Sequence, residues 1–86
     1  MTCRIDRLLI EPGVVLRISG RITGEDLDVL RTALEEDRLV AIDLTEIELV
    51  DRDAVKFLIC TEGNGIELRH CPAYIREWMT RERGRS

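Results

Sequence analysis

LVAIDLTEIELVDRDAVKFL, residues 39–58, is the stretch that decides the fold. Leu39 to Ile42 is a continuous apolar run too short for a helix, and it suits a strand covered on both faces of a sheet. Asp43 ends that run. Leu44 to Val50 carries apolar residues without a clean period, so an ordered turn packing inward is expected there. Asp51 and Asp53 then stand at a helix start, where the first backbone N–H groups lack partners and negative charge is favoured. Along that helix Ala54, Val55, Leu58 and Ile59 face inward with Phe57 beside them, and Gly63-Asn64-Gly65 ends it.

Upstream, Cys3 to Ile10 and Val14 to Gly20 read as two strands joined by a turn at Glu11-Pro12-Gly13. In the second, Val14, Leu16 and Ile18 share one face and Val15, Arg17 and Ser19 the other, which places it near a sheet edge. Thr23 caps the next helix, with Glu25, Asp26 and Asp28 in its favourable first turn. Leu27, Leu30 and Leu34 form its apolar stripe, and it ends near Glu36 or Asp37. Downstream, Ile66 to Arg69 reads as the last strand, and Pro72 takes the first position of a final helix running to about Arg83. There Tyr74 with Trp78, and Ile75 with Met79, are packing pairs one turn apart. The order β-β-α-β-α-β-α predicts an α/β fold with a small mixed four-stranded sheet. Its first strand is antiparallel, the later strands are parallel, and about three helices cover it. All 86 residues form one domain, with residues 83–86 expected to fray.

Composition narrows the function. Aromatic residues are only 3% against 44% hydrophobic, so the core is aliphatic and base stacking has no platform. A net charge of -4 argues against a nucleic-acid surface. No apolar run approaches the roughly 20 residues that span a bilayer, and the N-terminus lacks a signal-peptide core; a cytoplasmic location without membrane insertion is expected. Cys3, Cys60 and Cys71 contain no CxxC pair, and His70 beside Cys71 lacks further ligands, so neither a disulfide framework nor a zinc site is indicated. Cys71 before Pro72 stands where a helix start could lower a thiol pKa, but a small half-buried residue is the preferred reading.

The carboxylates Asp43, Asp51 and Asp53 could hold a hard cation such as magnesium. Consecutive helix-start acids at i and i+2 point to different sides, however, and no Gly-rich phosphate loop accompanies them; capping and surface charge explain them. No enzyme, metal or cofactor is expected.

The stretches VVLRISGRITGEDLDVLRTAL, LVAIDLTEIELVDRDAVKFL and GIELRHCPAYIREWM, in that order, resemble the STAS domain, named from sulfate transporters and anti-sigma factor antagonists. The resemblance covers nearly the whole chain and implies a binding module. In the regulatory members, a turn at the second helix carries a phosphorylatable Ser or Thr. The unphosphorylated surface binds an anti-sigma factor with a kinase-type ATPase fold, and phosphate breaks that contact. Asp51-Arg52-Asp53-Ala54 corresponds to that turn: Asp51 keeps the family's acid, Asp53 takes the phosphoacceptor's place and Ala54 that of a small Gly. Aspartate carries less charge and fewer acceptor oxygens than a phosphate, so this turn is not expected to switch by phosphorylation.

The resemblance thus implies an anti-sigma factor antagonist-like regulator in a partner-switching system. It docks through the first-helix entrance at Thr23 and the Asp51–Phe57 face, with Asp43 and Thr45 at the preceding strand end. Asp51 and Asp53 supply charge, and Arg52 and Lys56 partner-specific contacts. Two other readings stay open: an accessory subunit of a membrane transporter, and a small-molecule or nucleotide sensor or thiol-reactive enzyme using Cys71. A homodimer is also left open.

Overall fold

The computed structural model describes residues 3–11 and 13–84. Pro12 of the expected turn and the last two residues of the expected frayed end lie outside them. Two strands, β1 (Cys3–Ile10) and β2 (Gly13–Ile22), pair antiparallel from Cys3 opposite Gly20 to Ile10 opposite Gly13. A single 3-10 turn (Gly24–Asp26) leads into α1 (Leu27–Ala33), then come β3 (Leu39–Asp43), β4 (Ile47–Val50), α2 (Arg52–Gly63), β5 (Glu67–Arg69) and α3 (Ala73–Arg83). The sheet runs β1-β2-β3-β5, and β3, β4 and β5 all pair in parallel. This is the expected mixed α/β architecture with three helices, enlarged by one strand.

That fifth strand corrects the reading of Leu44 to Val50 as a turn. After β3 leaves β2 at Arg17, the chain turns through residues 44–46 and β4 resumes the same line beside Gly20 to Ile22. Gly20 has a φ of 86° and sits at the register shift between the two pairings. A glycine there bends β2 without ending it, because only glycine takes that conformation without a Cβ clash. For the same reason β2 continues to Ile22. It is bordered by β1 on one side and by β3 and β4 on the other, so it is the centre of the sheet and not an edge.

Further local features differ from expectation. Val40 is 41% exposed, so β3 is not covered on both sides along its length. The short β5 pairs only Ala41 to Asp43 and leaves the first two residues of β3 without a neighbour on that side. The first helix ends at Ala33, a turn before Glu36. Pro72, at φ -56° and ψ 145°, caps α3 from outside its first turn.

All three helices lie on one face of the sheet. Leu27 and Leu30 of α1, Ala54, Val55, Phe57 and Leu58 of α2, and Ile75 and Met79 of α3 share one core with Ile18, Ile22, Ile42, Leu44 and Leu68. Of the two expected packing pairs in α3, Ile75 and Met79 are fully buried, whereas Tyr74 lies half-exposed and donates its hydroxyl to the Glu48 carbonyl at 3.2 Å. Arg83 is helical and, with Arg76, pairs with Glu62 of α2. Gly20→Ala is expected to destabilise the protein by about 1–2 kcal/mol through its left-handed φ, while the neighbouring Ser19→Ala stays within about 0.5 kcal/mol. Urea unfolding of the two variants checks this.

Candidate functional site

Two helix starts meet at one carboxylate. The Asp51 backbone N–H donates to the Ile22 carbonyl at 3.2 Å, which fixes the residue where β4 ends beside β2. From there its side chain divides. Oδ1 accepts the Ala54 N–H at 2.8 Å and caps α2, while Oδ2 accepts the Gly24 N–H at 2.9 Å at the start of the 3-10 turn. Each oxygen thus satisfies an amide that its own helix cannot. The expected cap of α2 is therefore also a clamp between two segments 27 residues apart.

Thr23 and Asp53 flank this clamp. The Thr23 backbone N–H and hydroxyl both donate to Asp26 Oδ2, at 3.0 and 3.2 Å, which closes a capping box and buries Asp26. Asp53 is exposed and leans over Gly24, where a Cβ would lie 3.0 Å from its Oδ2. Gly24 thus gives Asp53 room beside an amide that Asp51 already holds.

From this junction α1 and α2 leave a groove of about 510 Å³ between them. Leu27, Leu34 and Phe57 provide apolar lining, and the exposed Arg31, Asp53 and Lys56 bring charge to it. Cys60, also exposed, lies on the same stretch of α2.

The remaining expected site residues lie elsewhere. Arg52 turns to α3 and pairs with Glu82 at 3.2 Å, on the other side of α2 from the groove. Asp43 and Thr45 belong to the helix-free face, because β4 inserts four residues between them and Asp51. Thr45 donates to Asp43 Oδ1 through its backbone N–H at 2.9 Å and through its hydroxyl at 2.5 Å, and Arg17 Nη2 donates to Oδ2 at 3.4 Å. Burial alone would raise the Asp43 pKa. The two Thr45 hydrogen bonds, with the charges of Arg17 and His70, outweigh it and hold the carboxyl below its ordinary value.

The three acids do not converge, and among the described residues no group of three or more His, Cys, Asp or Glu side chains is placed to hold a metal ion. The Cys71 thiol is pushed up by burial, contrary to the lowering its place before the helix suggested. Thr61 is buried, with its hydroxyl donated to the Phe57 carbonyl at 2.9 Å, so it is not an accessible phosphoacceptor. The sequence reading missed Asp26 as the partner of Thr23, although the spacing Thr23-x-x-Asp26 matches a capping box with Asp in the usual Glu position. It also missed the Asp51–Gly24 bond, for which no local spacing gives a signal.

Asp51→Ala removes acceptors from two helix starts and is expected to cost about 2–3 kcal/mol in urea unfolding, against less than about 0.5 kcal/mol for the exposed Asp53→Ala. Asp43 adds a pH dependence. Its depressed pKa contributes stability that is full above the unfolded-state value of about 3.9 and is lost as pH falls through the lower folded-state value. Thr45→Ala should move the Asp43 titration upward, and carboxyl NMR measures that shift directly. No family model, curated protein or solved structure matches the chain.

Proposed function

We propose that this chain is a non-enzymatic, cytoplasmic protein-interaction module, an anti-sigma factor antagonist-like regulator that docks a partner through the Asp51–Phe57 helix start. The observation that carries the reading is the division of labour between two acids. Asp51 spends both oxygens on Gly24 and Ala54, while Asp53 stays exposed on the same clamped surface beside Lys56 and Phe57. A fixed charge next to a half-open apolar groove suits recognition: the charge selects and orients the partner, and the apolar contact holds it. The STAS resemblance of the sequence supports the same reading and suggests an anti-sigma factor with a kinase-type ATPase fold as the partner.

On this reading Asp53 holds a permanent negative charge where a regulated member of the family would add one. Control by phosphate at this turn is lost, and affinity is set by the sequence. No described helix is long and apolar enough to cross a membrane. The groove volume also falls within the range of small-molecule sites, which keeps the sensor reading open beside the accessory-subunit one.

Affinity capture from native extract with the tagged chain is expected to retain a protein with a kinase-type ATPase fold, and Asp53→Arg to weaken that complex at least tenfold. Incubation of the purified pair with ATP should leave residues 51–54 unmodified by mass spectrometry. Capture of a transporter ATPase would favour the accessory-subunit reading, and phosphate on Thr45 would place control at the strand turn.

A further inference from the structure

The face of the sheet opposite the helices carries a pattern that the proposed docking site does not use. Strand alternation puts Arg4, Asp6, Leu8, Val15, Arg17, Ala41, Asp43, Glu67 and Arg69 on it, with the exposed Ile10 at the end of β1. Asp6 is register-matched to Arg17, Arg17 to Asp43 and Asp43 to Arg69. One straight row across β1, β2, β3 and β5 therefore reads minus, plus, minus, plus. Val15 and Ala41, themselves register-matched, lie one step along the strands at its centre.

Within one molecule this row is incompletely satisfied. At its centre Arg17 Nη2 donates to Asp43 Oδ2 at 3.4 Å, and Asp43 is buried with both oxygens accepting, so the open charge lies at the two ends. Asp6 and Arg69, at the two ends, pair along their own strands with Arg4 at 3.3 Å and Glu67 at 2.9 Å. They remain 37% and 38% exposed, open to a further partner.

A row of this kind is complementary to its own reverse. We propose that this face is a self-association surface, on which a second copy of the chain stacks about a two-fold axis running parallel to the strands midway between β2 and β3. That axis places Asp6 opposite Arg69 of the second copy, a contact that occurs twice as an isologous interface requires, and sets the Arg17–Asp43 pairs of the two copies against each other in opposite order. Val15 then meets Ala41 of the second copy across the centre. The alternative face-to-face axis, along the row, would set Asp6 on Asp6 and Arg17 on Arg17; like-charge repulsion excludes it. The helix starts at Asp51 stay outside the contact, so dimerisation and partner docking are independent.

The contact is small. Four strands about 4.8 Å apart and five residues of about 3.3 Å each outline roughly 300 Å² per copy, which belongs with weak, transient interfaces. Val15 and Ala41 are buried, so the apolar area of this face comes from Leu8 and Ile10 at its β1 edge. The Asp6–Arg69 contacts set the register of the association, and salt must weaken them.

Sedimentation equilibrium up to about 1 mM protein, the weak end of specific association, tests the proposal. The wild type is expected to approach twice the chain mass at low salt and to return toward one chain mass in about 1 M salt. Asp6→Arg and Arg69→Glu should each give monomers, because each sets like charges against each other at both ends of the row. An equimolar mixture of the two should dimerise again. In the mixed pair the two reversed positions face each other with opposite charges at one end of the row, and the native Asp6–Arg69 contact remains at the other. Asp6→Asn and Arg69→Gln, with charge removed but not reversed, should weaken dimerisation without abolishing it, and they provide the comparison should a reversal disturb folding. A wild type that stays monomeric at low salt, variants that remain dimers, or a mixture that stays monomeric would each overturn the proposal.

Discussion

Everything near the candidate site depends on one carboxylate satisfying two helix starts. A helix start has amides without intrahelical partners, and in a domain of 86 residues there is little room for separate devices at each end. Asp51 answers for both the 3-10 turn before α1 and the first turn of α2. The consequence is geometric: β2, which delivers the chain to Gly24, and β4, which delivers it to Asp51, must end side by side. Parallel pairing of Ile22 with Val50 provides that, and the bend at Gly20 allows β2 to reach it after leaving β3.

Much of this was legible in the sequence where the signal is local. The acids at 51 and 53, the apolar spacing of Ala54, Val55 and Leu58, and the Gly63-Asn64-Gly65 ending define α2 without reference to any other element. The alternation of β2 was equally plain, but alternation measures which residues are covered and not how many strands lie alongside. Thus Arg17 and Ser19, polar because one face carries no helix, made a central strand resemble an edge. β4 was illegible for a related reason: four residues give too short a run for period two to emerge, and its pairing with β2 is entirely non-local.

The candidate site divided in the same way. Asp43 and Asp51 are eight positions apart in sequence, and reading them as one cluster assumed a turn between them. An intervening strand carries the chain onward, so Asp43 works on the sheet face with Thr45 and Arg17 while Asp51 works among the helices. Two acids of similar appearance in sequence therefore have different partners and different consequences, one setting a pH-dependent strand end and the other joining two helices.

This separation bears on what Asp53 can do. A carboxylate needed for capping is tied to the fold, and changing it alters stability together with any contact it makes. Asp51 is of that kind. Asp53 is not: the second position of α2 lies beside the clamp, exposed, with Gly24 offering space where any larger residue would press against it. A charge in such a place can be altered without unfolding the chain, which is the physical requirement for a position through which affinity is tuned. On the proposed reading, replacement of a phosphorylatable hydroxyl by aspartate at this position uses that freedom to fix a charge that would otherwise be added and removed, while Asp51 keeps the surface around it in place.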